Sequence, residues 1–201
     1  MTRILKLSLV VFLISVFSVS AETIKVKLET TEGDIHIDLY EDKAPITVAN
    51  FLRYIDAGHF NGGAFYRVVR MDNQAQNNVK IEVIQGGMSG NSDVSLFEPI
   101  KLERTSDTGV KHLDGTISMA RGGVDTASSE FFICVNPQPT LDFGGMRNAD
   151  EQGFAAFGQV TMGMDVVRKI QNVKTDQPTG EQYTSGQSVV EPVIFKSFSR
   201  E

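Results

Sequence analysis

Short apolar runs with a period of two, each ended by glycine or polar turn residues, recur from Ile24 to Phe198. They limit the fold more than any other feature of the chain. Ile24, Val26 and Leu28 alternate with lysines, and Ile35, Ile37 and Leu39 alternate with His36 and Asp38. Between them "TTEGD" supplies the glycine that a tight connection needs, so a β-hairpin is expected. Further strands are predicted at 64–69, 80–85, 100–103, 116–120, 130–135, 155–160 and 192–198. Only two segments carry a helical period. Pro45 opens the first, Val48, Phe51, Leu52 and Ile55 form its apolar stripe, and Gly58 ends it. The second, over 164–171, is expected to bury Val166, Val167 and Ile170. A parallel sheet would need a crossover helix at most steps, so roughly eight strands with two helices exclude it. "EFFICV" is apolar on both faces, which fits a closed barrel whose interior is packed and whose exterior is partly covered. The expected fold is mostly β: a closed eight-stranded antiparallel barrel capped by two α-helices.

Residues 1–21 read as an address and not as fold. Arg3 and Lys6 make a basic start, Leu7 to Val19 an apolar stretch too short to span a bilayer comfortably, and Val19-Ser20-Ala21 a small-residue cleavage site. The expectation is a signal peptide over 1–21 and one mature domain over 22–201, with no membrane attachment after cleavage. Cleavage removes two positive charges, taking the formal net charge from −6 to −8. So acidic a chain, with no basic run, is a poor partner for nucleic acid or an anionic membrane. Cys134 is the single cysteine and sits inside "FFICV", where a buried inert thiol is expected. His36, His59 and His112 are scattered and suggest no metal site.

No Ser/His/Asp ordering and no phosphate-binding loop stands out, and the carboxylates fall where solvated faces are expected. What calls for an account is Arg67 in "GGAFYRVV". Strict alternation would put Phe65, Arg67 and Val69 on one face, leaving the guanidinium either snorkelling to solvent or set as a donor in an apolar pocket.

Four signatures stand in order around it: "FYRVV", "VIQGG", "GTISMAR" and "ASSEFFICV", followed by "LDFGG" and "FAAFGQV". This set resembles the cyclophilin family of peptidyl-prolyl cis-trans isomerases over essentially all of Thr23 to Phe198. The resemblance implies an isomerase of X-Pro bonds with Arg67 as the catalytic arginine and Gln85 beside it. It implies that Ala120 and Arg121 line the substrate cleft and that Phe132 and Leu141 wall a proline pocket. Phe154 stands where many members carry His or Tyr, and Arg121 where Asn is frequent. Two departures accompany it. The connection from Arg67 to Gln85 is longer than is usual in the family, and Glu82 and Val83 stand where an aromatic residue and a methionine help form the pocket. Because Glu82 and Val83 alternate, only one can face the pocket, and Val83 is the expected one, since an unpaired buried carboxylate is costly. With no tryptophan in the chain, Thr140 lies near the place of the family's frequent cyclosporin-contacting Trp.

The function expected is therefore prolyl isomerisation assisting the folding of exported proteins in a periplasm. No metal or cofactor is implied. The partners would be unfolded or flexible proline-containing polypeptides, and the protein a monomer. The alternative on the same scaffold is a non-catalytic proline-peptide-binding chaperone, motivated by Glu82 and Val83. A small-ligand carrier barrel ranks behind both, because such a cup would need a long meander uninterrupted by the first helix.

Overall fold

The computed structural model describes residues 23–88, 96–175 and 182–201. The expected signal peptide lies outside these residues. The hairpin forms as β1 (Ile24–Thr30) and β2 (Asp34–Leu39), in register from Ile24 opposite Leu39 to Glu29 opposite Asp34. Helix α1 (Pro45–Asp56) follows, then β3 (Ala64–Val69) and β4 (Val83–Gly87). A single helical turn, α2 (Thr105–Thr108), precedes β5 (Thr116–Met119) and β6 (Phe131–Cys134). The chain ends with β7 (Ala156–Met162), α3 (Met164–Gln171) and β8 (Ser188–Arg200). The eight strands close into a barrel in the order β1-β2-β7-β5-β6-β4-β3-β8, every pairing antiparallel.

Inward positions fill the barrel with aromatic rings. Phe51 of α1 lies at the centre of that packing, its ring centroid 5.0–5.4 Å from those of Phe60, Phe131, Phe157 and Phe198. Truncating Phe51 to alanine would open this centre at a cost of roughly 3–5 kcal/mol. The helix ends as its sequence requires: Gly58 takes φ +70° beyond the last turn, a conformation costly for a side chain. A second apolar cluster lies outside the barrel and joins Val69, Ile81, Val83, Phe132, Cys134, Leu141 and Phe154. Adjacent residues therefore serve two layers, Phe131 the interior and Phe132 the outer cluster. Cys134 is fully buried, and burial pushes its thiol pKa well up.

Four expectations need correction. Residues 100–103 form no strand, and Ile100 makes only a single bridge to Ala127. Side chains hold this segment instead: Asp125 accepts from Leu102 N–H, and the Glu103 carboxylate caps α1 by accepting from the N–H groups of Ile46 and Thr47 (3.1 and 2.8 Å). A third, one-turn helix (α2) joins the two expected. In α3 the buried residues are Val167, Ile170 and Gln171, while Val166 is only partly covered. β8 is also longer than 192–198 because it bends. Its first half pairs with β3 and its second with β1, and Pro192 falls where the β3 ladder is interrupted.

Candidate active site

Register alone brings four of the chain's distinctive residues into one row on the outer face. Arg67 lies opposite Gln85, Gln85 opposite Phe132, and Phe132 opposite Ser118, across β3, β4, β6 and β5. A bulge in β3 sets this row. Phe65 pairs with Gly86 and Arg67 with Gln85, so Tyr66 is the extra residue. The alternation expected through "FYRVV" is thereby broken. Phe65 and Val68 both enter the barrel core, whereas Tyr66 and Arg67 both reach Gln85 on the outside. Arg67 shares its face with Val69 but not with Phe65, contrary to the strict period-two reading.

Arg67 is half-buried and held on two sides. Its Nη1 donates to Gln85 Oε1 (2.7 Å), while Nε and Nη2 both donate to Gln187 Oε1 (2.9 and 2.6 Å). Part of the five-donor fork stays outside these bonds. The Tyr183 ring lies against the guanidinium, its centroid 5.3 Å away. Burial draws the Arg67 pKa down from its usual value, yet a guanidinium keeps its proton in any protein setting.

All eight residues singled out from the sequence line one small cleft of about 90 Å³: Arg67, Val83, Gln85, Ala120, Arg121, Phe132, Leu141 and Phe154. Phe132 and Phe154 meet edge to face at 5.4 Å. A 3-10 turn, Pro139–Leu141, brings Leu141 in, and Phe154 N–H donates to the Leu141 carbonyl (3.0 Å). Val83 points to this cleft, whereas Glu82 turns away to accept from Asn136 Nδ2 (3.0 Å). Arg121 does not offer its charge to the cleft. Its fork pairs with both oxygens of Asp150 (2.7 and 2.8 Å), its Nε donates to Gly153 O, and its plane lies over Phe154. That pairing lowers the Asp150 pKa to about 2.

Other contributors carry no local signal. Ile81 joins the pocket wall from within the long connection after β3, which Gln74 closes by accepting from Ile81 N–H and donating to Ile81 O. Arg147 reaches this connection at Val79 O and also faces the Tyr183 ring. Gln187, immediately before β8, is fully buried. Tyr66 donates to the partly buried Glu130 (2.6 Å), so one carboxylate is not on a solvated face.

A Ser/His/Asp group does assemble, contrary to the sequence reading: His112 contacts Asp142 through Nδ1 (2.8 Å) and Ser118 Oγ through Nε2 (3.0 Å). His112 and Ser118 are 1% and 0% exposed, so no substrate carbonyl can reach the serine. The imidazole instead stacks behind Phe132, with centroids 6.0 Å apart and planes within 16°. It supports the pocket and performs no nucleophilic chemistry. Among the described residues no group of three or more His, Cys, Asp or Glu could hold a metal ion.

Residues 25–193 match the family model described as cyclophilin type peptidyl-prolyl cis-trans isomerase/CLD. Peptidyl-prolyl cis-trans isomerase A of Dickeya dadantii is 37% identical over 152 residues, 75% of this chain and 73% of that protein. Peptidyl-prolyl cis-trans isomerase B of Escherichia coli is 36% identical over 168 residues, 82% of this chain and 94% of its own length. The crystal structure of a cyclophilin-type isomerase from Cryptosporidium parvum superposes with a TM-score of 0.69 at 20% identity, covering 90% of this chain and 98% of that one. The barrel, the covered outer cluster and the arginine row agree with these matches: the chain belongs to the cyclophilin-type peptidyl-prolyl cis-trans isomerases.

Proposed function

We propose that the chain catalyses cis–trans isomerisation of X-Pro peptide bonds, with Arg67 as the donor to the prolyl nitrogen. The amide resists rotation by about 18–20 kcal/mol because the nitrogen lone pair is delocalised into the carbonyl. Twisting removes that resonance and localises the lone pair on nitrogen. A donor fixed beside the nitrogen therefore bonds the twisted state better than the planar one, which lowers the barrier. The observation that carries this reading is the clamp on Arg67: Gln85 and Gln187 hold the fork while part of it stays free above an apolar pocket. Phe132, Val83, Ile81, Leu141 and Phe154 would grip the proline ring as the preceding carbonyl swings. Glu82 and Val83 gave the non-catalytic reading its ground; the Glu82 carboxylate lies outside the pocket wall, and Val83 forms part of it.

The substrates we propose are flexible or unfolded proline-containing polypeptides, because a proline ring must enter the cleft and its X-Pro bond must be free to turn there. Residues 1–21 support an exported, periplasmic protein that assists folding there. The test is isomerisation of an Ala-Pro peptide by the chain lacking residues 1–21. Acceleration well above the uncatalysed exchange of roughly tens to hundreds of seconds is expected, and exchange at the uncatalysed rate would defeat the proposal.

A further inference from the structure

The guanidinium is the end of a longer hydrogen-bond chain. Arg67 Nη1 donates to Gln85 Oε1 (2.7 Å), Gln85 Nε2 donates to Tyr66 Oη (3.0 Å), and Tyr66 donates to Glu130 Oε2 (2.6 Å). We propose that Glu130 is a positioning residue for Arg67, fixing through Tyr66 and Gln85 the direction of this chain and thereby making the isomerase sensitive to acid. The proposal rests on the isomerase reading and on Arg67 as its donor.

The reasoning concerns polarity. A guanidinium only donates and an ionised carboxylate only accepts, whereas a phenol and a primary amide can each be turned either way. With Glu130 charged, both ends impose one direction: the phenol must donate to the carboxylate, so its oxygen accepts from the Gln85 amide nitrogen. The amide oxygen then faces Arg67. Once protonated, Glu130 keeps an acceptor oxygen but gains a donor, so Arg67 alone still fixes the direction; whenever Glu130 donates to the phenol oxygen, the phenol proton turns towards Gln85. The amide reverses to accept it, setting its NH₂ against Nη1, donor against donor. Arg67 would keep Gln187 and lose Gln85.

The fold builds a place for this carboxyl. An atom added at the Cβ position of Gly87 would lie 2.3 Å from Glu130 Oε1, so the side chain fills space that only glycine leaves. Burial raises the Glu130 pKa above the usual carboxylate value, against the opposing bonds from Tyr66, Ser129 and the Met88 N–H. Tyr66 is the titratable group in contact with it among the described residues, and burial followed by Glu130 itself pushes the phenol pKa far up. Arg67 stands two bonds further along β3 and β4. Among the described residues no lysine or arginine pairs with Glu130. Proton loss from Glu130 is therefore the step that fixes the chain's direction from its second end as pH rises.

The test is isomerisation of an Ala-Pro peptide followed by NMR exchange from pH 4.5 to 8, which needs no coupling protease. Circular dichroism at each pH establishes that the fold is intact. The wild type should lose roughly tenfold in kcat towards the acid end, the low end of the scale for one hydrogen bond to a charged group, with KM little changed. Glu130→Gln is uncharged at every pH, so it should show the lowered kcat of the acid limb throughout and no acid loss of its own. Tyr66→Phe cuts the chain and should give a lower kcat with no acid loss of its own. A wild-type profile flat across the range, or an acid loss persisting unchanged in both folded variants, would overturn the role of Glu130. Inactivity of the wild type at every pH would overturn the isomerase reading as well.

Discussion

Gln187 offers a way to separate the orientation of Arg67 from its charge. One fully buried amide oxygen receives both Nε and Nη2, at 2.9 and 2.6 Å. Replacing Gln187 by Glu keeps the shape and both acceptor contacts, so the guanidinium stays aimed. It also sets a full negative charge beside the positive one. At a separation of about 4 Å and an effective dielectric constant near 20, that attraction is about 4 kcal/mol. A comparable fraction of the guanidinium's pull on the prolyl nitrogen would be spent inside the protein. The expected outcome is a fall in kcat of roughly 10²-fold, the scale for loss of one preorganised donor, with KM within about twofold. Gln187→Ala should lower kcat by about tenfold, because Gln85 still holds Nη1. Both are measured by exchange NMR on an Ala-Pro peptide, with thermal melts as the check on folding. Full kcat in a folded Gln187→Glu variant would refute the reasoning, since the charge on Arg67 would then be irrelevant to the rate.

Three further outcomes are expected. Burial, outweighing the pull of Asp142, holds the His112 pKa below its usual 6.5. The unfolded chain therefore takes up the proton first, and stability should fall by up to about 1.4 kcal/mol per pH unit as pH drops from about 6.5 to the lowered folded value. Urea unfolding of wild type and His112→Gln between pH 7.5 and 5 tests this, and an unchanged slope in the variant would count against it. Val83→Met should lower KM for a short proline peptide by about fourfold, since one more buried group is worth about 0.8 kcal/mol; an unchanged or raised KM would mean that Val83 does not touch the ring. Amino-terminal sequencing of the exported protein should begin at Glu22, whereas a chain still carrying Leu7 to Val19 would make it an anchored protein.

Much of this fold is legible in local pattern because each element buries one face of a regular period. β1 and β2, α1 and α3 are all visible in that way. The site is legible only in part. Gln85 and Phe132 stand in strands whose period survives, so their shared outer face can be read. The bulge at Tyr66 cannot, because one extra residue reverses every later face and nothing local marks it. Gln187 reaches Arg67 across 120 residues of chain from just before β8, a strand whose start Pro192 disguises as loop. The 100–103 segment misleads in the opposite sense: its apolar residues alternate like a strand, but Asp125 and the cap from Glu103 hold it without a ladder. His112, Ser118 and Asp142 come from three separate segments, and only the folded chain brings them together behind Phe132.

The central claim is that a held guanidinium stabilises the twisted X-Pro bond, and substitution of Arg67 tests it most directly. The measurement is kcat/KM on an Ala-Pro peptide for wild type, Arg67→Ala and Arg67→Lys, each with a matching circular dichroism spectrum and melting temperature. The account predicts a loss of roughly 10²–10³-fold for alanine and little rescue by lysine, whose ammonium cannot occupy Gln85 and Gln187 while still presenting a planar fork. A folded alanine variant with near wild-type kcat/KM would contradict it, and Arg67 would then be an arginine that merely packs against the cleft.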